Sequence, residues 1–239
     1  MPENTKPYSS EILYNEKSQR TFRGQNLLQI AMPIGGIGAG NVCLNGIGGL
    51  QDISIHHTPT TSAMPDGHGL TDAAFGLIHF PKTKNTRLLE GPYPKEWIYN
   101  QGLKAQGLRN GGYEGFPRFR NCEFTGEFPF GKAMLSDETL PVQVTITGFN
   151  PFIPGDVKNS AIPCAIMEYT FENVSDSECT FEFSYHLSHF APGADKVSMT
   201  NSRNELIPEQ GINFYNLEPE NSSEFGVCHP DFGWSSTRD

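Results

Sequence analysis

The chain has 239 residues, 36% of them hydrophobic and 11% aromatic, which is enough for one large or two small domains around a substantial core. Its formal net charge is −10 and its 17 Lys and Arg form no basic stripe, which excludes nucleic-acid binding by phosphate neutralisation and attraction to an anionic membrane surface. No run approaches the ~18 apolar residues of a membrane span, while 25 Gly and 18 Pro favour an all-β chain full of turns.

Residues 1–25 read as a polar, flexible lead-in without the apolar stretch of a signal peptide, which points to the cytoplasm. The one domain expected, 26–239, follows. Leu27 to Ile55 reads as short strands broken by glycine turns, and Thr58 to Thr71 as a loop. Phe75–Phe80 is a compact strand stopped by Pro81, and Lys82 to Pro117 is long and irregular.

The clearest periodicity lies between Leu140 and Phe190. Val142, Val144 and Ile146 alternate with polar residues, as do Met167, Tyr169 and Phe171, and then Phe181, Phe183, Tyr185 and Leu187. Period two over these lengths predicts half-buried strands with Glu168, Glu172 and Glu182 in water. Residues 173–178 (NVSDSE) have the length and polarity of a hairpin loop, so the last two strands are expected to pair. Aromatic dry faces and polar wet faces predict an all-β sandwich of two packed antiparallel sheets, here an incomplete one.

The glycine-rich stretch MPIGGIGAGNVCLNGIGG, Met32 to Gly49, fails as a dinucleotide fingerprint. Gly36 and Gly38 are followed by Asn41, and Gly38 and Gly40 by Cys43, where a third glycine is needed. It interleaves glycine with Ile, Val and Leu, unlike a linker. A packed, turn-rich segment is expected, with glycine allowing positive φ or close backbone approach. A second near-miss, Gly126 to Ala133, has phosphate-loop spacing. Ala133 replaces the Mg²⁺-binding hydroxyl, however, and Pro129 removes an amide donor. No nucleotide cofactor is expected.

His56, His57, Asp66 and His68 are close in sequence, as are His186 and His189, but residues three apart on a strand face opposite sides. No metal is predicted. The five cysteines show no CxxC pair, so neither a thiolate zinc site nor a disulfide framework is expected, and the sequons at Asn173 and Asn221 read as chance matches. Glycoside hydrolysis needs two carboxyl groups flanking one bond, and the 27 Asp and Glu single out no such pair.

The order of several unrelated motifs is more specific. These are MPIGGIGAG at Met32–Gly40, FPF at Phe128–Phe130, LPV at Leu140–Val142, NPFIPGD at Asn150–Asp156, NSAIP at Asn159–Pro163 and the strand end Tyr169–Asn173. Over about Ile30 to Phe190 the chain resembles the N-terminal domain of glycoside hydrolase family 116, the family of bacterial β-glucosidases and the non-lysosomal glucosylceramidase of animals. The resemblance implies a β-sandwich that packs on a larger C-terminal barrel of helical hairpins, with both catalytic carboxyls in that barrel. No catalytic residue is therefore carried onto this sequence. The expected partners are that helical catalytic domain and a carbohydrate or glycoside substrate.

Leu50–Pro59 departs from the family pattern, with Gln51, Ile53, His56 and His57 at positions that are basic or aromatic in many members. His56 and His57 become candidates for the cleft rim, and Trp97, Tyr99 and Tyr113 for stacking on a sugar ring, against core packing as the plainer role. A free-standing carbohydrate-binding module is the competing expectation.

Overall fold

The computed structural model describes residue 14 and residues 20–55, 58–59, 74–93, 116–187, 202–207 and 211–216. Strands dominate: β1 Arg20–Arg23, β2 Ala31–Pro33, β3 Asn41–Asn45, β4 Leu50–Ile55, β5 Thr58–Pro59, β6 Ala74–Phe80, β7 Asn85–Leu88, β8 Asn121–Glu127, β9 Phe130–Ser136, β10 Val142–Phe149, β11 Ile166–Asn173, β12 Glu182–Leu187, β13 Ser202–Ile207 and β14 Gly211–Asn216. Among the described residues one short α-helix, α1 (Val157–Ser160), is capped by Asp156, whose carboxylate accepts from the Asn159 amide at 3.0 Å.

A five-stranded sheet in the order β1-β8-β9-β10-β11 forms one layer. Facing it are a four-stranded sheet, β2-β3-β4-β5, and a three-stranded sheet, β12-β6-β7, while β13 and β14 pair with each other. All these strand pairs are antiparallel. The expected all-β sandwich is the observed architecture. Three elements fall where loop or irregular chain was expected: β1 inside the lead-in, β5 at the start of the Thr58–Thr71 loop, where it pairs with β4, and β7 inside the irregular stretch after Pro81.

The alternation read from sequence becomes rows across the large sheet. Phe22, Phe124, Ala133, Ile146 and Tyr169 stand side by side in one row, and Cys122, Leu135, Val144 and Phe171 in the next. Ala133, Leu135, Val144 and Ile146 are sealed from solvent, and Met167, Tyr169, Phe171 and Phe181 pack onto the same core. Glu168, Glu172 and Glu182 are exposed. Burial of each large side chain of this kind contributes about 1.5–3 kcal/mol. Phe183 departs from full burial: on the edge strand β12 it keeps 44% of its surface exposed while touching Tyr169 and Phe171.

A third inner row is Gly126, Gly131 and Gly148, ending at Met167. It is a furrow. A Cβ on Gly148 would lie 2.5 Å from Ile34 Cγ2, and one on Gly131 would lie 2.8 Å from Met32 Cγ. The furrow admits the facing layer at β2, so Gly131 and Gly148 are required for space rather than for backbone freedom.

The hairpin expected between β11 and β12 does not form. β11 pairs with β10, and β12 crosses to the other layer to pair with β6. The two strands meet face to face through rings: Phe171–Phe181 centroids are 4.8 Å apart and Tyr169–Phe183 5.4 Å. Hydrogen bonding edge to edge would have left two strips of large aromatics on one face. Folding one strip over the other buries both.

Candidate functional site

The glycine stretch is structural throughout its described contacts. The Gly35 amide donates to Phe149 O at 2.8 Å and the Gly36 amide to Cys164 O at 3.2 Å, so both are occupied within the fold. Gly35 has φ +83°, and a Cβ there would lie 2.5 Å from Cys164 O. The segment MPIGGIGAG is thus bedded on the backbone of NSAIPCA. The second near-miss, Gly126 to Ala133, is the β8–β9 hairpin, a strand–turn–strand without the helix a phosphate loop needs.

Each candidate rim or stacking residue, His56, His57, Trp97, Tyr99 and Tyr113, lies outside the described residues, as do Asp66, His68 and His189. His186 is exposed on β12, stacked on Phe75 at 4.8 Å, with Nε2 3.1 Å from Ser184 Oγ. Among the described residues no group of three or more His, Cys, Asp or Glu is placed to hold a metal ion.

What the structure does show is how the two roots of residues 94–115 are held. The outgoing root runs from β7 through Leu89 and Glu90 to Tyr93, and the returning root is Phe116–Arg120. They lie side by side: Leu88 N donates to Pro117 O at 2.8 Å, Phe119 N donates to Glu90 O at 3.1 Å, and Leu88 bridges Arg118 in parallel. Side chains then fasten the pair. Arg118 Nε donates to Glu90 Oε2 at 3.2 Å, with both side chains at or below 10% exposure. The same guanidinium sits 5.2 Å over the Tyr93 ring and donates from Nη1 to Phe116 O at 3.3 Å.

The next arginine faces a different carboxylate. Arg120 Nε is 3.7 Å from Asp137 Oδ1, and Arg87 Nε of β7 is 3.7 Å from Asp137 Oδ2. Between the two arginines Phe119 is 1% exposed. The tripeptide Arg118–Phe119–Arg120 is therefore stitched by alternation: one side chain to Glu90, one into the core, one to Asp137.

Glu90 sits where the layers meet. Gly49 makes room for it, because a Cβ there would lie 2.8 Å from Glu90 Oε1 and 3.1 Å from Asn45 Nδ2. Asn45 Oδ1 accepts from Ile47 N at 3.1 Å and Gly49 N at 2.9 Å, which shapes the β3–β4 turn against the carboxylate. Opposite, Tyr169 and Tyr185 share a hydrogen bond. Burial chiefly, with the Glu90 charge adding, pushes Tyr185 up to about 12 and Tyr169 well above the ordinary phenol range. Both remain neutral hydrogen-bonding groups at any ordinary pH.

This cluster does not have the form of a glycosidase acid–base pair. Burial opposes ionisation of Asp137, but hydrogen bonds from the Thr139 hydroxyl (2.6 Å) and amide (2.9 Å), with the charges of Arg120 and Arg87, hold its carboxyl below the usual range. A general acid needs the opposite shift. Glu90 is engaged by Arg118. The arrangement fixes the two ends of residues 94–115.

Sequence reasoning missed Glu90, Arg118, Arg120 and Asp137. Two signals were present: a carboxylate directly after the apolar pair Leu88–Leu89, and Phe119 flanked by two arginines. Neither names its partner, because the partners come from segments far apart in the chain.

Beyond this interior cluster, the last outer row of the large sheet runs from Glu127 through Phe130 and Phe149 to Ile166, with Phe130 and Phe149 stacked at 5.1 Å. Phe128 in the β8–β9 turn, and Phe152 and Ile153 shortly after β10, are also exposed, all at least 44%. The preceding row is polar: Thr125, Lys132, Thr147 and Glu168.

No curated protein matches the chain. The family model described as beta-glucosidase 2, glycosyl-hydrolase family 116 N-term, matches residues 31–224, which covers every strand from β2 to β14. With the sandwich, the bedded glycine signature and the capped NPFIPGD turn in place, the chain belongs to the family of glycoside hydrolase family 116 N-terminal domains.

Proposed function

We propose that this sandwich is the non-catalytic N-terminal portion of a retaining β-glycosidase of the β-glucosidase and glucosylceramidase kind. On this reading it braces a helical catalytic domain and shapes one rim of the substrate cleft. The observation that carries the bracing role is the set of exposed apolar side chains Phe128, Phe130, Phe152, Ile153 and Ile166 at or near the end of the large sheet. The rim role rests on the fastened roots of residues 94–115, which carry Trp97, Tyr99 and Tyr113, together with His56 and His57 beyond β4. The four described cysteines are free thiols, which supports a reducing cytoplasm.

The test is made in the intact hydrolase. Phe128→Asp with Phe152→Asp is expected to split one thermal transition into two, since both side chains are already exposed in the sandwich and only the contact between domains is lost. An undivided transition at an unchanged temperature would remove the bracing role. Separately, Trp97→Ala, Tyr99→Ala or Tyr113→Ala is expected to raise KM more than it lowers kcat. If all three leave KM unmoved while the 239-residue chain binds a soluble β-glucan by itself, the carbohydrate-binding-module reading takes its place.

A further inference from the structure

The two edges of the five-stranded sheet differ. β1 is four residues long with an arginine at each end, and Arg23 pairs with Glu123 of β8. β11 is twice that length, contains neither Pro nor Lys, keeps an unbroken register with β10 from Ile166 to Asn173, and has no partner on its other side among the described residues. Natural sheets guard such edges with charged side chains, lysine above all, with proline, bulges or a covering element. The next strand in the chain, β12, does not cover it, because it joins the opposite layer.

We infer that this edge of β11 receives an added strand, an extended segment of the same hydrolase polypeptide with basic side chains at two alternate outer positions. Charge supplies the specificity. The outer side chains of β11 are Ile166, Glu168, Thr170 and Glu172, all exposed. Across the sheet, Glu168 faces Thr147 and Glu172 faces Gln143, neither of them cationic, and Lys132 lies two strands away in the Glu168 row. An antiparallel strand with Lys or Arg at positions i and i+4, and a hydroxyl or small residue between them, meets both carboxylates while its apolar residues extend the Met167, Tyr169 and Phe171 face.

A second copy of β11 fits less well. Centred on Thr170, antiparallel self-pairing sets Glu168 against Glu172 twice. Centred on Tyr169, it sets Glu172 against Ile166. Neither register gives a complementary pair. The backbone groups of the edge supply affinity, and the carboxylates choose the partner. Assignment of the strand to the same polypeptide rests on the proposed role as part of a larger hydrolase; the edge itself does not.

Two measurements test this, and neither depends on catalysis. The 239-residue chain is titrated with the capped heptapeptide Val-Lys-Val-Thr-Val-Lys-Val, its Glu-for-Lys counterpart, and a version methylated at alternate backbone nitrogens. Saturable binding of the Lys peptide is expected, weaker for the Glu peptide by about tenfold and abolished by methylation. The preference should invert in the chain carrying Glu168→Lys and Glu172→Lys. Absent binding, equal binding of both peptides, an unaltered preference in the variant, or self-association through β11 overturns the inference. In the intact hydrolase, the amides of 166–173 that point away from β10 should exchange more slowly than in the 239-residue chain. Equal exchange overturns the assignment to the same polypeptide.

Discussion

The β9–β10–β11 meander and the root Arg118–Phe119–Arg120 lie in the same domain and are fixed by opposite kinds of chemistry. In the meander, apolar side chains at every second position meet their neighbours on adjacent strands, and any large apolar residue of similar volume would serve. In the root, two arginines must find two specific carboxylates brought from different segments, Glu90 beside β7 and Asp137 after β9. The first kind of order is tolerant and local. The second is intolerant and long-range, and it lies at the two ends of residues 94–115.

The sharpest way to separate them is to break each by a single truncation. Arg118→Met removes the arginine paired with the buried Glu90 and is expected to cost about 3–5 kcal/mol. Ile146→Ala, fully buried in β10, should cost about 2–5 kcal/mol. Chemical denaturation of both variants measures this, and the contrast lies in the rescue. Glu90→Met combined with Arg118→Met should recover much of the loss, since a buried pair is replaced by apolar packing. No second change in the sheet should rescue Ile146→Ala so fully. A double variant no more stable than Arg118→Met would show that the pair is not a coupled unit.

Overpacking gives the next largest effect. Gly148→Val drives a side chain into Ile34 and Leu44 across the furrow and should cost about 1–3 kcal/mol or more. Gly126→Ala, on the same row, meets nothing closer than 3.7 Å and should be far milder. Equal melting temperatures for the two variants would mean that the layers do not close at the furrow.

Acid provides a finer probe of the root. The Asp137 carboxyl is held below its ordinary value in the fold, so its contribution is complete above the unfolded-state value near about 3.9 and is lost as pH falls through the folded value. The stability advantage of the native chain over Asp137→Asn should therefore be constant from about pH 7 to 5 and shrink below about pH 4. A constant difference down to pH 3 would contradict the ionised clasp. Smallest of all, Arg23→Gln at the exposed Arg23–Glu123 pair should leave the melting temperature within error.

How much of this was legible follows from the same contrast. Val142 to Ile146 and Met167 to Phe171 announce their strands because burial on one sheet face is a period-two requirement. The motif order from Met32 to Asn173 indicated the family, and the match over residues 31–224 supports it. The β11–β12 hairpin was misjudged because loop length reports that two strands are consecutive, not whether they meet edge to edge or face to face. Only the stacking of Phe171 on Phe181 distinguishes the two. The Glu90–Arg118 and Asp137–Arg120 pairs were invisible because charged residues read as solvent-facing until the fold buries them. His56, His57, Trp97, Tyr99 and Tyr113 retain the standing of rim candidates.

The central proposal is that this sandwich supports a glycosidase without doing its chemistry, and the pairing of both described buried carboxylates, Glu90 and Asp137, with arginines fits it. Turnover of 4-nitrophenyl β-D-glucopyranoside by the purified 239-residue chain tests it most directly, alone and after addition of the hydrolase's separately produced helical domain. The expected result is no turnover by the sandwich alone and turnover when the helical domain is restored. A monodisperse 239-residue chain that cleaves the glycoside, and loses that activity on substitution of one of its own carboxyl groups, would contradict the account.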